Sequence, residues 1–380
     1  MKEFVKKFLL LALSLGLCLA IGEVFVRVCY PQQLVVMNPQ AIWRYDDLTG
    51  WYLTGNADSK VNTGEGPVHF VTDADGHRIP RGWAENPRPA EGTAKIIAIG
   101  DSFIEALQVE CEDTIPQVLA GLLTEKTGLR VTATNDGVSD WNPNQYYYET
   151  KRALRREKYD LGFVFIYIGN DLVDKIEASF EEKAKAMQHP LRMPKNLSPY
   201  ELVDSLLYPL NNFLERRSQL FVFVKYRMQF ILTRVGLTAN YFPEIFLKSE
   251  KGSPKWRIQT EICEKIRDEF QNQNTPVTFV FLPAVYQVQQ DDFHSFLRNF
   301  NIPFDSVDLE QPNRMLAALF KEKSLAFIDP LEAMRKQAKN GALLYGKTDA
   351  HLTRAGHRVV AETIIDSMPA DMWKEKLAPK

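Results

Sequence analysis

The chain has 380 residues, of which 45% are hydrophobic and 25% charged, a composition typical of a globular protein with a sizeable core. Its formal net charge of -2 provides no overall positive field. Since no segment resembles a nucleic-acid-binding module either, we expect no nucleic-acid partner.

The N-terminus carries a membrane-targeting signal. Three lysines precede an uncharged apolar run from Phe8 to Gly22, and mostly apolar residues continue to Val28. A positive flank before such a run is typical of a signal peptide or a signal anchor. The run to Gly22 fits the core of a cleaved signal, whereas the length to Val28 is sufficient to cross a bilayer. We favour an uncleaved transmembrane anchor over residues 1–29, with residues 30–380 in the periplasm or outside the cell.

Residues 30–94 are predicted to form an N-terminal extension that packs on the main domain. Turn-forming residues alternate here with aromatic residues, among them Trp51, Tyr52 and Phe70, which favours short strands. His69 and His77 lie in this extension without an evident acidic or metal-ligand setting, so we assign neither of them to a site.

Strands and helices alternate from residue 95 to residue 380. The β-branched run Lys95 to Ile99 predicts a buried strand of a parallel sheet, and Gly-Asp-Ser follows it, ending at Ser102. Further strands are predicted over residues 129–134, 161–168, 277–282 and 325–328, and helices over residues 114–127, 142–158, 255–272, 311–321, 330–339 and from about 353. This alternation predicts an α/β fold, a three-layer α/β/α sandwich around a parallel sheet of about five strands.

A helical insertion at about residues 174–254 interrupts this alternation. Residues 220–232 are dense in aromatic and apolar side chains, with Lys225 and Arg227 interleaved, and predict a helix. A lid, a substrate groove, a membrane-facing helix and a plain packing helix all remain open for it.

The four cysteines indicate no metal site. Cys18 and Cys29 belong to the apolar N-terminus, and Cys111 and Cys263 lack the spacing of zinc ligands. In an oxidising compartment Cys111 and Cys263 can form a disulfide, or each can be a small buried apolar group.

Four short motifs occur in order at the predicted strand ends and near the C-terminus: Gly100-Asp101-Ser102, Asn135-Asp136-Gly137, Gly169-Asn170-Asp171 and Asp349-Ala350-His351. Because the carboxyl ends of parallel strands meet at one edge of the sheet, the first three are expected to converge. A serine hydroxyl becomes a nucleophile when a histidine, oriented by a carboxylate, takes its proton. Ser102, His351 and Asp349 provide these three groups.

The motifs resemble the signature blocks of the SGNH, or GDSL, hydrolase superfamily. The sequence that flanks them resembles that of membrane-anchored bacterial members of this superfamily. The resemblance covers roughly residues 70–370 and implies a flavodoxin-like sheet, a metal-free and cofactor-free site, and catalysis by Ser102, Asp349 and His351. It also implies an oxyanion hole made of the backbone N–H groups of Ser102 and Gly137 and the side-chain amide of Asn170.

One departure from the family pattern concerns the carboxylate. The family has an aspartate three residues before the histidine, whereas Thr348 occupies that position here and Asp349 lies two residues before His351. In an extended segment, residues two apart project to the same side, so the pair can still meet. His357 is the rival base, but its neighbours suggest a packed helix, and we prefer His351.

The resemblance implies an extracytoplasmic serine esterase that hydrolyses an O-acyl ester, such as an O-acetyl ester. An O-acyltransferase that modifies an envelope polysaccharide would use the same serine, and an aromatic groove formed by Tyr226, Phe230 or Tyr241 of the insertion would favour it. A non-catalytic envelope scaffold or carbohydrate-binding protein is a further alternative, against which the intact Ser, Gly, Asn and His argue.

Overall fold

The computed structural model describes residues 2–32, 34, 42–83, 94–172, 207, 210–211, 213–235, 243–253, 255–289, 293, 297, 302–347, 349–368 and 377. Its first element is helix α1 (Lys2–Cys29). Among the described residues, α1 alone is long and apolar enough to cross a membrane, and hardly any of it is buried against the rest of the chain. A signal sequence would have the same properties, so α1 is an anchor or a signal by this criterion.

Short strands follow α1, as the sequence predicts. β1 (Trp43–Asp46) pairs antiparallel with β2 (Gly50–Leu53), and β3 (Asp58–Val61) pairs antiparallel with β4 (Val68–Val71). The first hairpin is held against the main domain by two hydrogen bonds from β2: Trp51 Nε1 donates to the Ser139 carbonyl, and the Tyr52 hydroxyl donates to Asp136 at 2.5 Å.

The predicted parallel sheet is confirmed. It contains β5 (Ala94–Gly100), β6 (Val131–Gly137), β7 (Leu161–Tyr167), β8 (Val277–Leu282) and β9 (Phe327–Ile328), in the order β6-β5-β7-β8-β9 with every pair parallel. Several strand boundaries differ from the prediction by one to three residues. β6 and β9 begin two residues later than predicted, and Asn135, Asp136 and Gly137 are the last residues of β6 and do not follow it.

Helices cover both faces of the sheet and make the three layers. The helices are α2 (Ser102–Glu105), α3 (Ile115–Thr127), α4 (Pro143–Arg156), α5 (Gln219–Arg234), α6 (Lys255–Asn272), α7 (Val285–Val288), α8 (Gln311–Glu322), α9 (Leu331–Lys339) and α10 (Arg354–Ser367). Alternate side chains of β5 point to opposite faces. Ile96 and Ala98 pack with α3, α9 and α10, while Ile97 and Ile99 pack with α4, α6, α8 and the N-terminal hairpins.

The sandwich is therefore built as the sequence predicts, and the N-terminal hairpins share one of its two cores. Of the insertion, α5 confirms the predicted helix, while residues 173–206 and Tyr241 lie outside the described residues, as do the side chains of Tyr226 and Phe230. Cys111 and Cys263 are both buried, free thiols, which matches the second of the two expectations for them.

Candidate active site

Ser102 reaches the sheet edge because two glycines allow a very close approach of backbone. Ser102 opens α2 directly after β5, and the Asp101 carboxylate caps the helix by accepting from the Phe103 N–H at 2.9 Å. Gly100 lies opposite Gly137 in the sheet. A Cβ on Gly137 would come within 2.3 Å of the Glu105 nitrogen, and one on Gly100 within 2.5 Å of Ile104. Larger residues at either position would push α2 away from the sheet.

The structure brings Ser102, His351 and Asp349 together as a hydrogen-bonded triad, with His351 between the other two residues. His351 Nε2 lies 2.7 Å from Ser102 Oγ, and His351 Nδ1 contacts Asp349 Oδ1. The Phe103 ring lies beside the imidazole with 4.8 Å between ring centroids, which fixes the plane of the His351 ring. Ser102 and His351 are 249 positions apart in the chain, so it is the fold of the sheet that brings these two side chains into contact.

The charges and hydrogen bonds within this triad favour an ionised Asp349 carboxylate and a basic His351 imidazole. Burial alone would raise the pKa of Asp349, but hydrogen bonds from His351 and Gln108 and the positive charge of His351 lower it below the ordinary value. Burial acts the opposite way on the imidazole and would lower its pKa, yet the hydrogen bond and charge of Asp349 raise the pKa of His351 above its ordinary value. Such a histidine accepts a serine proton readily.

Two residues that hold Asp349 were not singled out from the sequence. Gln108 Nε2 donates to Asp349 Oδ2 at 2.7 Å, and the Asp349 backbone N–H donates to Glu65 Oε1 at 3.0 Å. A Cβ on Gly346 would meet the Glu65 carboxylate at 2.7 Å, so the glycine makes room for it. Asp349 is thus fixed by residues from the hairpin region and from the loop after α2. Neither residue carries a motif that sequence reasoning recognises.

Arg78 is a third unpredicted residue, and it holds the loop that follows Ser102. Its guanidinium is fully buried and donates to the carbonyls of Glu105, Ala106 and Val109. Ala106 caps α2 in a left-handed conformation with φ of 55°. A cation that closes over three carbonyls stabilises this turn. Arg78 lies inside the stretch of roughly residues 70–370 over which the sequence resembles the family, but it belongs to none of the four motifs.

The predicted oxyanion donors have different surroundings. The Ser102 backbone N–H lies in the first turn of α2, where helices leave such groups without intrahelical acceptors. Asn170 lies in the turn after β7, and Asp171 holds this turn by accepting from Tyr146 Oη at 2.8 Å and Tyr167 N at 2.9 Å. The Gly137 N–H donates to Asn135 Oδ1 at 3.2 Å. Its oxyanion role stays a prediction, while its close contact with α2 is a structural reason for glycine.

Two further buried acids lie near the site. Burial raises the pKa of Asp101 to about 6, against the opposing effects of the Phe103 hydrogen bond and the charge of His351. Burial likewise raises the pKa of Glu105 to about 7, although hydrogen bonds from Ser139 and the charge of Arg78 oppose it. Glu105 Oε2 accepts from the Ser139 N–H at 2.5 Å, which links α2 to the loop after β6.

A cleft of about 320 Å³ opens beside His351. Its polar lining comes from Glu65, Gln108, Glu110, Asp113 and Arg354, and residues such as Pro67 and Val68 give it an apolar lining of similar extent. Asp113 forms an ion pair with Arg354 at 2.7 Å on its rim. The cleft therefore offers hydrogen-bonding groups and apolar surface together.

The three other histidines among the described residues, His69, His77 and His357, are not hydrogen bonded to Ser102, His351 or Asp349. The rival base His357 is fully buried on α10, and burial lowers its pKa to about 3. His69 and His77 correct an expectation, because each does meet a carboxylate: His69 Nδ1 lies 3.3 Å from Glu110 and His77 Nδ1 lies 3.2 Å from Asp73.

Asp73, Asp75 and His77 are of metal-ligand type and lie close together, which makes them the candidate metal cluster among the described residues. Asp73 Oδ1 already accepts from the backbone N–H groups of Asp75, Gly76 and His77. These bonds are those of a tight turn that closes on an aspartate, so the cluster has a structural explanation.

A family comparison supports the resemblance that the motifs indicated. Residues 241–380 match the family model described as SGNH hydrolase-like domain, acetyltransferase AlgX. The matched segment contains Asp349 and His351 and ends beyond α10, whereas Ser102 and Asn170 lie before it. None of the curated proteins with which the sequence was compared matches it.

Solved structures match the chain at low similarity. A mutant of Axe2, an acetyl-xylooligosaccharide esterase from Geobacillus Stearmophilus, is 13% identical with a TM-score of 0.39 and covers 74% of this chain and 98% of its own. A putative lipolytic protein of the G-D-S-L family from Desulfitobacterium hafniense DCB-2 is 12% identical with a TM-score of 0.37, over 73% of this chain and 100% of its own. At these values the likeness bears on neither substrate nor activity.

Proposed function

We propose that this chain, which contains an SGNH hydrolase-like domain, is a serine esterase that cleaves O-acyl esters through an acyl-enzyme on Ser102. The observation that carries the proposal is the 2.7 Å contact between Ser102 Oγ and His351 Nε2, with Asp349 on the other nitrogen of the ring. A serine, a histidine and a buried carboxylate in this order form the arrangement that activates a hydroxyl for acyl transfer.

The first half of the reaction acylates the serine. Ser102 Oγ attacks the ester carbonyl while its proton passes to His351 Nε2, and Asp349 stabilises the imidazolium that forms. The tetrahedral intermediate then collapses, the C–O bond to the alcohol breaks, and His351 returns the proton to the departing alkoxide. The Ser102 N–H and the Asn170 amide are the donors we assign to the intermediate's oxyanion, each of which contributes about 3 kcal/mol in comparable sites.

The second half decides between two activities. In an esterase, water gives its proton to His351 and attacks the acyl-serine, which releases the acid and regenerates Ser102. In a transferase, a hydroxyl group of an acceptor takes the place of water. The description of the family model as an acetyltransferase favours acyl transfer as the second candidate. The acceptor we propose for it is a hydroxyl group of an envelope polysaccharide, for which the polar side chains of the cleft beside His351 offer hydrogen-bonding groups.

We further propose that the enzyme is anchored in a membrane by α1, with residues 30–380 outside the cytoplasm. The lysines before the apolar run and the nearly unburied surface of α1 support this topology. A reporter that is active only in the periplasm, fused after Lys380, should be active in cells. A mature protein that lacks α1 and is released from the membrane would identify α1 as a cleaved signal.

A fluorophosphonate probe tests the nucleophile. We expect the full chain to gain one phosphonate group on Ser102, and the variants Ser102→Ala and His351→Ala to gain none at a comparable rate. Both variants and the double variant should lose similar activity on an aryl acetate, since the two residues act as one unit. Ser139→Ala is a matched control that should keep both labelling and activity. Labelling of Ser102→Ala, or normal activity of His351→Ala, would contradict the assignment.

A product analysis separates the two activities. The enzyme is given an acyl donor with and without envelope oligosaccharide, and released acid and acylated sugar are measured by mass spectrometry. An esterase releases acid at a rate that the sugar does not change. Acylated sugar as the main product would replace the esterase assignment with the transferase.

A further inference from the structure

An exposed apolar stripe runs along one side of α5. Val224, Met228, Ile231 and Val235 recur at spacings of four, three and four residues, which places them on one face of a helix. Between 46% and 61% of the surface of each is exposed. Val222, which projects to the opposite side, is buried. The helix therefore directs its apolar stripe away from the folded domain.

The beginning of α5 is attached to α1. A Cβ on Gly22 of α1 would meet the Leu220 side chain at 3.1 Å, and Tyr30 packs against Phe223 with 5.7 Å between ring centroids. Leu220 lies one turn before Val224 on the same face. The stripe on α5 is thus continuous with the apolar surface of α1.

Glu23 is the residue that joins the two helices. Its carboxylate accepts from the backbone N–H groups of Gln219 and Leu220 at 2.9 and 3.0 Å and from Ser218 Oγ at 2.7 Å. Arg27 donates both to Glu23 and to the carbonyl of Arg217. The first donors of α5, which would otherwise need water, are therefore satisfied by a side chain of α1. A helix that begins at the boundary of a hydrocarbon layer requires such partners.

The position of Glu23 in α1 fixes the level of this junction. Glu23 is the first charged residue after the uncharged run Phe8 to Gly22, which spans roughly 22 Å at the helical rise of about 1.5 Å per residue. The hydrocarbon core is about 30 Å thick. When the lysines before Phe8 lie at the inner boundary, Glu23 and the start of α5 lie roughly 8 Å below the outer one, a depth that interfacial helices reach.

From these contacts we infer that α5 lies in the outer surface of the membrane, with the stripe Val224, Met228, Ile231 and Val235 inserted among the lipids. The inference rests on the proposed anchoring by α1. Arg217 and Arg227 are exposed at the start and middle of the helix, where cations attract anionic headgroups. Interfacial helices combine such basic residues with an apolar face that inserts about 5–10 Å. α5 therefore fixes the tilt of the domain on the membrane, while α1 fixes its attachment.

Depth-dependent fluorescence quenching in the full chain tests this inference. A variant with Cys18→Ser, Cys29→Ser and Met228→Cys is labelled with an environment-sensitive fluorophore; the remaining cysteines, Cys111 and Cys263, are buried. The labelled protein is placed in phospholipid nanodiscs that contain a doxyl quencher near the headgroup end of the acyl chain. The matched control carries Ile258→Cys, since Ile258 on α6 is 48% exposed and Met228 is 46% exposed.

We expect the doxyl lipid to quench the label at position 228 at least about twofold more than the label at position 258, as for a helix inserted by several ångströms. Adding Glu23→Ala should weaken the quenching at position 228, because it releases the start of α5. A label at position 228 that aqueous iodide quenches and the doxyl lipid does not would overturn the inference. Protection that occurs only in discs with two copies of the chain would also overturn it, in favour of a second copy on the stripe.

Two reference measurements keep the proposals distinguishable. The native Cys18, labelled in a Cys29→Ser chain, should be quenched by a doxyl group near the middle of the acyl chain. Failure at Cys18 contradicts the anchor, whereas failure at position 228 with normal quenching at Cys18 contradicts only the inference for α5. Phosphonate labelling of Ser102 in the same discs reports the proposed activity separately.

Discussion

Asp349 shows how a single residue can depart from a family pattern without losing its contact. It lies two residues before His351, where the family has three, and it still meets His351 Nδ1. Gln108 and Glu65 hold the segment from outside it. Sequence reasoning predicted the pair from the projection of residues in an extended segment. It could not predict the anchors, because a glutamine and a glutamate far away in the chain carry no local signal.

The charge of Asp349 should determine the pH at which activity falls on the acid side of the pH–activity profile, that is, its acid limb. His351 must be neutral to take the Ser102 proton, and Asp349 raises the pKa of His351, so activity falls at a higher pH than for an ordinary histidine. We expect Asp349→Asn to move this limb of kcat/KM to lower pH and to reduce kcat by about 10⁴-fold. Asp113→Asn is the control, since Asp113 pairs with Arg354. An unchanged limb in Asp349→Asn would show that another group orients the imidazole.

Glu105 should make the fold less stable as pH rises. Its pKa is about 7 in the folded chain and 4.5 as a free side chain. Between these values the folded state holds a proton that the unfolded state has lost, so the free energy of unfolding falls with pH, by at most about 1.4 kcal/mol per unit from this group. Glu105→Gln should lessen that fall, and denaturant titrations from pH 5 to 8 measure it. Glu110→Gln, at a half-exposed site, is the control and should leave this pH dependence unchanged. If the free energy of unfolding fell equally steeply with pH in the wild type and in Glu105→Gln, the assignment to Glu105 would be wrong.

At the scale of elements, the strand that delivers Ser102 depends on the loop behind it. Arg78 holds that loop through three carbonyls, and a buried acceptor that loses its donor commonly costs about 1–3 kcal/mol. We expect Arg78→Met to lower the free energy of unfolding by about this amount, to reduce kcat, and to speed amide exchange over residues 102–109. Arg81→Met is the control at an exposed arginine. Normal exchange in Arg78→Met would mean that the glycine-supported contact of α2 is sufficient alone.

The sequence predicted the elements well because local periodicity determines them. Continuous apolar runs such as Leu161 to Ile168 identified the strands, and Pro116 and Pro143 in first helical turns identified α3 and α4. The end of β6 was predicted too early, because Asn135 and Asp136 have low strand propensity. In the structure they are kept in the strand by buried partners: Asn135 Nδ2 donates to the Ile104 carbonyl at 2.8 Å, and Asp136 accepts from Tyr52. Tertiary contacts override propensity at this point.

At the scale of the whole molecule, the N-terminal hairpins belong to the same folded unit as the candidate active site. Trp51, Tyr52, Leu53 and Phe70 are each at most 3% exposed and pack in the same core as Ile97 and Ile99. The sequence predicted an extension on the main domain, but it contained no pattern that reveals a shared core. The reason is that this core forms between short segments, and each segment contains too few apolar residues to show a periodic pattern.

Two truncated chains should separate the roles of α1 and the hairpins. A chain that begins at residue 30 lacks only the anchor, and we expect it to unfold cooperatively and to hydrolyse an aryl acetate in mild detergent. A chain that begins at residue 84 also loses buried side chains that include Trp51, Tyr52, Leu53 and Phe70, these four worth roughly 2 kcal/mol each, and it loses the contacts of Arg78 and Glu65. That sum approaches the roughly 5–15 kcal/mol by which domains are stable. We expect this second chain to show no cooperative transition in urea and no activity. If the chain that begins at residue 84 were active, the hairpins would be dispensable for both folding and activity. If it folded but were inactive, the hairpins would act through the contact of Glu65 with Asp349.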